Sequence, residues 1–309
     1  MTRLYVKGIA AREQFDARKG LQRAYGISGV EVMVYPVQLE REPGIVRDAI
    51  AHGAYLFDGN INVEVFSFFG KDEDLDLISR YTPVRDRSRR ALDQVLGIYS
   101  DLGLKGIVSF HPVANNHRAM PAPRRIIELK RNNKAAKELG EYVRSLRSSD
   151  TPEILVENTY PHRSSNGRVV YSEIGIYPSD FGENGMGLPM TFDTAHLGIL
   201  LSYHGATHSR LLSLPNGLFN LAEEGYRWSE MVRKGGYTET MRKLVMANVD
   251  ALDVRNVHFV NAGPGLNGTA DHCTALSTEE GGILELDQLV ETALMFRPEY
   301  IVPEIDEEG

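Results

Sequence analysis

The chain has 309 residues, 42% of them hydrophobic and 25% charged, and a formal net charge of −8. That length admits one large α/β domain, and the acidic balance excludes a protein that holds nucleic acid by general charge attraction, which needs Lys and Arg to neutralise phosphates. The single cysteine, Cys273, excludes an internal disulfide framework, and the first 25 residues are too rich in charge, from Arg3 and Lys7 to Lys19 and Arg23, for a signal region or a membrane span. Both features point to a cytoplasmic protein with no membrane partner.

In chain order, short β-rich apolar runs alternate with longer stretches of helical periodicity. The runs are Leu4 to Ile9, Val30 to Tyr35, Ala49 to Leu56, Gly106 to His111, Ile154 to Glu157, Leu188 to Asp193, Val257 to Val260 and Tyr300 to Ile305. Between them, Ala11 to Tyr25, Ser88 to Leu102, Arg124 to Leu146, Tyr237 to Leu252 and Leu286 to Phe296 read as amphipathic helices. Alternation of this kind implies right-handed crossovers and a parallel sheet. Eight repeats predict an α/β fold with one (β/α)8 TIM barrel over residues 1–309, and no Gly-rich phosphate loop opens a helix as a doubly wound sheet would require.

Two insertions are expected, after strands 5 and 6. Residues 161–187 read as a hairpin followed by a short helix near Pro178-Ser179-Asp180, and His204 to Gly236 as an extra helical piece with the only tryptophan, Trp228. The basic run Arg118, Arg124, Arg125, Lys130, Arg131, Lys134 and Lys137 has the spacing of a solvated helix face.

A barrel of this kind builds its active site at the C-terminal ends of the strands. The third run contains His52, the fourth ends in His111, the fifth in Glu157-Asn158 and the sixth in Asp193 with His196 three residues on. The seventh contains His258 and Asn261, the eighth ends in Glu304, and the loop after the seventh adds Asp271-His272. Each alone has a plain explanation: Asp193 can cap a helix, and a strand-end histidine can be a hydrogen-bonded structural residue. Together, imidazoles and carboxylates at one rim predict a site for zinc or manganese with more than one ion, and every histidine of the chain is expected at a strand end or in the loop after it.

In this order and spacing, H-x-x-Y at His52, H-P at His111, E-N at Glu157, D-T-x-H at Asp193, H-x-x-N at His258 and the closing Glu304 resemble the xylose isomerase-like TIM barrels, from about Val30 to Glu304. That family includes the sugar-phosphate isomerases and epimerases and endonuclease IV (apurinic endonuclease family 2). The resemblance implies core metal ligands at Glu157, Asp193, His258 and Glu304, and further ligands at His52, His111, His196 and His272 like those that expand the nuclease site to three zinc ions. Asp271 is one more ligand candidate, displaced by one position from the aspartate of the nuclease D-R-H motif. The first strand, Tyr5 to Ala11, and the loop Tyr35-Pro36-Val37 lack that nuclease's histidine, paired glycines and DNA-penetrating residues.

Two mechanisms follow from the resemblance. With one manganese or magnesium ion, Glu157 and Glu304 would relay a proton beside the carbonyl of a sugar or sugar phosphate, with Arg163 or Arg210 as candidate phosphate partners. With two or three zinc ions, a metal-activated water would attack a phosphoester, and DNA becomes a possible substrate. Isomerase or epimerase chemistry is the expectation, with endonuclease IV-like hydrolysis as the alternative and a barrel that binds a ligand without turning it over as the third.

Overall fold

The computed structural model describes residues 2–70, 73–113, 120–121, 132–165, 168–211, 219–264, 270–273 and 277–304. Eight parallel strands close into a barrel: β1 (Arg3–Ile9), β2 (Gly29–Val34), β3 (Ile61–Val65), β4 (Ile107–Phe110), β5 (Glu153–Glu157), β6 (Met190–Asp193), β7 (Val254–Phe259) and β8 (Tyr300–Pro303). Each pairs with its sequence neighbours, and β8 returns to β1 through Arg3 opposite Tyr300. Outside lie α1 (Arg12–Tyr25), α2 (Pro36–Arg41), α3 (Pro43–Leu56), α4 (Thr82–Leu102), α5 (Asn133–Leu146), α6 (Thr194–Leu211), α7 (Phe219–Asn248) and α8 (Leu286–Leu294). This is the expected (β/α)8 barrel. Among the described residues no helix is long and apolar enough to cross a membrane.

Seven strands fall where the apolar runs predicted them; the third does not. Residues Ala49 to Leu56 are the last two turns of α3, whose buried Val46, Ala49, Ile50 and Gly53 follow the i, i+3, i+4, i+7 spacing of a helix face. The strand is instead Ile61-Asn62-Val63-Glu64-Val65, buried at every position. Its alternation has a particular meaning in a barrel, where the apolar set packs outward under the helices and the polar set points inward. Val30, Val32, Val63, Val65, Val108, Ile154 and Val156 accordingly share one core with Phe15, Leu92, Leu139 and Leu289 of the helices.

Inside the barrel the layers differ. Tyr5, Ile107, Leu155, Tyr300 and Val302 form a separate apolar cluster at the floor, with Tyr5 and Tyr300 edge-to-face at 5.0 Å. The strands approach closely here: a Cβ on Gly106 would lie 1.9 Å from the Ile61 carbonyl oxygen, so only glycine fits. Above the floor, the inward positions become polar and charged.

Both insertions are present. Antiparallel strands His162–Ser165 and Arg168–Tyr171 form the expected hairpin, Met120–Pro121 adds to its edge, and Pro178–Asp180 forms a 3₁₀ turn. The second insertion is the end of α6 and the first part of α7, which breaks at Gly236 (φ +77°). Of the basic run, Arg118 to Arg131 lies outside the described residues, and Lys134 and Lys137 are on the exposed face of α5.

His204 of α6 joins the two insertions, in the interior and not at a strand end. Its ring packs 5.7 Å from Trp228 and 5.9 Å from Tyr177, and its Nε2 shares a hydrogen bond of 3.1 Å with Tyr177 Oη. Burial pushes its pKa down to about 4. The unfolded chain, with an ordinary histidine near 6.5, therefore binds the extra proton first, so stability is full above about 6.5 and is lost as pH falls towards 4. Between pH 7 and pH 5 this should cost about 2 kcal/mol. Urea unfolding of the wild type and His204→Gln at both pH values checks it: the variant should lose less stability by about that amount, and equal losses would refute the assignment.

Candidate metal centre

The inward positions near the strand ends bring Lys7 of β1, Glu31 of β2, Glu64 of β3, Glu157 of β5, Asp193 of β6 and His258 of β7 to one mouth. His111, just beyond β4, and Glu304, just beyond β8, complete the ring, and His196 enters from the first turn of α6. Strand β6 runs directly into α6, so Asp193 Oδ1 accepts from the His196 backbone N–H at 2.7 Å and fixes the spacing of D-x-x-H.

Three imidazoles converge on one carboxylate oxygen. Glu157 Oε1 lies 3.1 Å from His258 Nδ1, 3.4 Å from His111 Nε2 and 3.6 Å from His196 Nδ1. The same His258 Nδ1 lies 3.2 Å from Glu304 Oε1 and 3.9 Å from Asp193 Oδ2. On its far side, His258 Nε2 is 2.7 Å from Glu31 Oε1, while Asn256 Nδ2 donates to Glu31 Oε2 at 3.0 Å. The Glu31 carboxylate beside Nε2 holds that edge of the ring inward and leaves Nδ1 facing the mouth, as in histidines that ligate metals. His196 is oriented the other way: its Nδ1 is 2.6 Å from the Asn158 carbonyl, which assigns the proton there and the lone pair to Nε2. Asn158 in turn locks β5 to β6, accepting from the Asp193 N–H at 2.6 Å and donating to the Asp193 carbonyl at 2.9 Å.

The electrostatics follow from this crowding. Burial pushes the Glu157 carboxyl up, but His258 and His111 outweigh it and hold it well below the ordinary carboxylate range. Burial pushes His258 down, and Glu157 and Glu31 outweigh that and raise it well above an ordinary imidazole. Burial raises Glu64, partly offset by Lys7, and burial together with His111 pushes His196 down to about 3. Lys7 reaches both Glu64 Oε2, at 2.5 Å, and Glu304 Oε1; burial opposes its charge, but Glu304, Glu64, Glu31 and Glu157 hold its pKa well above the ordinary lysine value.

The donor set fits a divalent cation. Glu157, Asp193 and His258 offer ligand atoms within 4.8 Å of one another, as do His111, Glu157 and His196, and as do Glu31, Glu64 and His258. Separations of 3.1–3.4 Å at Glu157 Oε1 are close to the edge of a tetrahedron with zinc–ligand arms of about 2.0–2.1 Å. Glu157 Oε2 is buried and makes no hydrogen bond. Five carboxylates gather at this mouth with Lys7, His111, His196 and His258, an acid-rich set of oxygen and nitrogen donors suited to a divalent ion.

No protein-family model matches the sequence, and no curated protein matches it. Solved structures do match the fold. Endonuclease IV from Thermus thermophilus aligns over 99% of this chain and 93% of its own, at 14% identity and a TM-score of 0.51. A protein from Anabaena variabilis assigned as a sugar phosphate isomerase/epimerase aligns over 99% of this chain and 84% of its own, at 12% identity and a TM-score of 0.50. The chain shares the (β/α)8 barrel fold of these structures.

In this barrel, His111, Glu157, Asp193, His196, His258 and Glu304 lie close together at the mouth. His52 does not, and its expected place at a strand end is corrected. It sits on α3, a quarter exposed, with Nε2 3.1 Å from Asp16 of α1 in the outer helical layer. Its neighbour Gly53 packs on Ile61, the first residue of β3, at the end of the barrel away from the mouth. The side chains of Asp271, His272, Arg163 and Arg210 lie outside the described residues; the backbone of Ala270–Cys273 pairs as a hairpin with Asn261–Pro264. Sequence reasoning missed Lys7, Glu31 and Glu64. Their signal is a charged residue inside an apolar strand run, Val6-Lys7-Gly8-Ile9, Val30-Glu31-Val32 and Val63-Glu64-Val65, at an inward position.

Proposed function

We propose that this barrel is a divalent-metal-dependent enzyme that moves a proton next to the carbonyl of a sugar or sugar phosphate, as an isomerase or epimerase. The observation that carries the reading is the pair Glu157 and Glu304, whose Oε1 atoms lie 3.1 and 3.2 Å from the same His258 Nδ1, beside Asp193. Glu157, Asp193, His258 and Glu304 would hold the ion, which when bound would supply polarisation of the carbonyl and hydroxyl oxygens of the sugar. Glu157, kept ionised by its imidazoles, is suited to take the proton, and Glu304, on a different strand, to return it. Glu31 and Asn256 keep His258 in one orientation while charge moves.

The position of His52 away from the mouth supports this reading over a three-ion site. His111 and His196 favour the second reading, endonuclease IV-like phosphoester hydrolysis, because they add two imidazoles at the Glu157 oxygen, where a carboxylate could bridge ions. The test is incubation of the protein, loaded with manganese or zinc, with keto and aldo sugars and their phosphates in D2O. Deuterium entering the carbon next to the carbonyl is the expected result. Release of inorganic phosphate, or cleavage of abasic DNA, without deuterium uptake would replace the first reading with the second.

A further inference from the structure

Glu31, Glu64 and His258 present ligand atoms within 4.8 Å of one another, and all three are buried. This cluster differs from the Glu157-Asp193-His258 set, and its residues come from β2, β3 and β7. It already holds a charge. The Lys7 ammonium, carried inward by β1, lies 2.5 Å from Glu64 Oε2 and also contacts Glu304 Oε1, so one covalently attached cation bridges two carboxylates from β3 and the end of β8. The Lys7 side chain is only 15% accessible.

We infer that Lys7 is a built-in cation in place of a metal ion: its ammonium fills the Glu31-Glu64-Glu304 side of the mouth, and thereby sets the number of ions the centre takes. The reasoning is electrostatic and geometric. A buried carboxylate pair needs a positive partner, and either an ammonium or a divalent ion can supply it. An ammonium 2.5 Å from Glu64 Oε2 leaves no room for an ion on that oxygen. Removing the ammonium while keeping the stem volume leaves a carboxylate-lined gap whose oxygens suit a divalent ion such as manganese or zinc. The inference rests on the proposed metal centre, yet it is read as a difference between variants and does not depend on which reaction the centre performs.

The experiment compares ions bound per chain in the wild type, Lys7→Met and Lys7→Arg, after saturation with zinc and removal of free metal, by elemental analysis and titration calorimetry. Lys7→Met should hold one ion more than the wild type, and Lys7→Arg should match the wild type. An equal count in folded Lys7→Met and wild type would overturn the inference while leaving the metal centre intact. A wild type that holds no ion would overturn both. If Lys7→Met folds poorly, added zinc should raise its melting temperature more than that of the wild type, and Lys7→Met/Glu64→Gln should fold and return to the wild-type count. A double variant that folds beside a single variant that zinc does not rescue would also count against it.

Discussion

Glu157→Gln is expected to lower turnover by roughly 10²- to 10⁴-fold, the range of a lost general base. It should also weaken ion binding. The glutamate is the meeting point of His258, His111 and His196, and an amide keeps its volume while giving up the charge that balances them. The barrel should survive, since the outward core of β5, Ile154 and Val156, is untouched. Steady-state kinetics alongside calorimetric metal titration check this. A variant with wild-type turnover on any substrate found for the protein would remove Glu157 from both the chemistry and the centre.

Glu304→Gln should behave differently, and the difference is the informative part. Glu157, Asp193 and His258 still offer ligand atoms within 4.8 Å of one another, so the ion should remain. Turnover should fall by about 10²- to 10⁴-fold because the proton can be removed on one side and no longer returned on the other. In D2O, the epimer whose proton faces Glu157 should keep exchanging it without converting, while the other epimer should exchange slowly. Following the two epimers separately by NMR reads this asymmetry. Equal exchange from both would mean that one base serves both faces, and the two-glutamate relay would fail.

Much of the barrel was legible because its strands are β-branched runs bounded by turns, and seven of these appear as read. The third failed for a physical reason. Ala49-Ile50-Ala51-His52-Gly53-Ala54-Tyr55-Leu56 is short and apolar, and such a run suits a strand or a buried helix equally. That error displaced His52 to the mouth and concealed Glu64 on the strand that follows. Glu31 and Lys7 were concealed differently. A charged residue within an apolar strand run ordinarily marks the solvent face of a strand, and only closure of the sheet turns that face into a buried interior. The strand-end residues His111, Glu157, Asp193, His258 and Glu304 needed no such knowledge, because any parallel barrel presents its C-terminal ends together.

The floor of Tyr5, Ile107, Leu155, Tyr300 and Val302 has a kinetic consequence. Its apolar side chains fill one end of the barrel, so on the proposed reading ion and substrate would both enter from the strand-end side and share that doorway. A bound sugar would then act as a stopper over the ion. Metal exchange with a chelator should slow when the doorway is occupied, and the ion should load before the substrate in each ordered cycle.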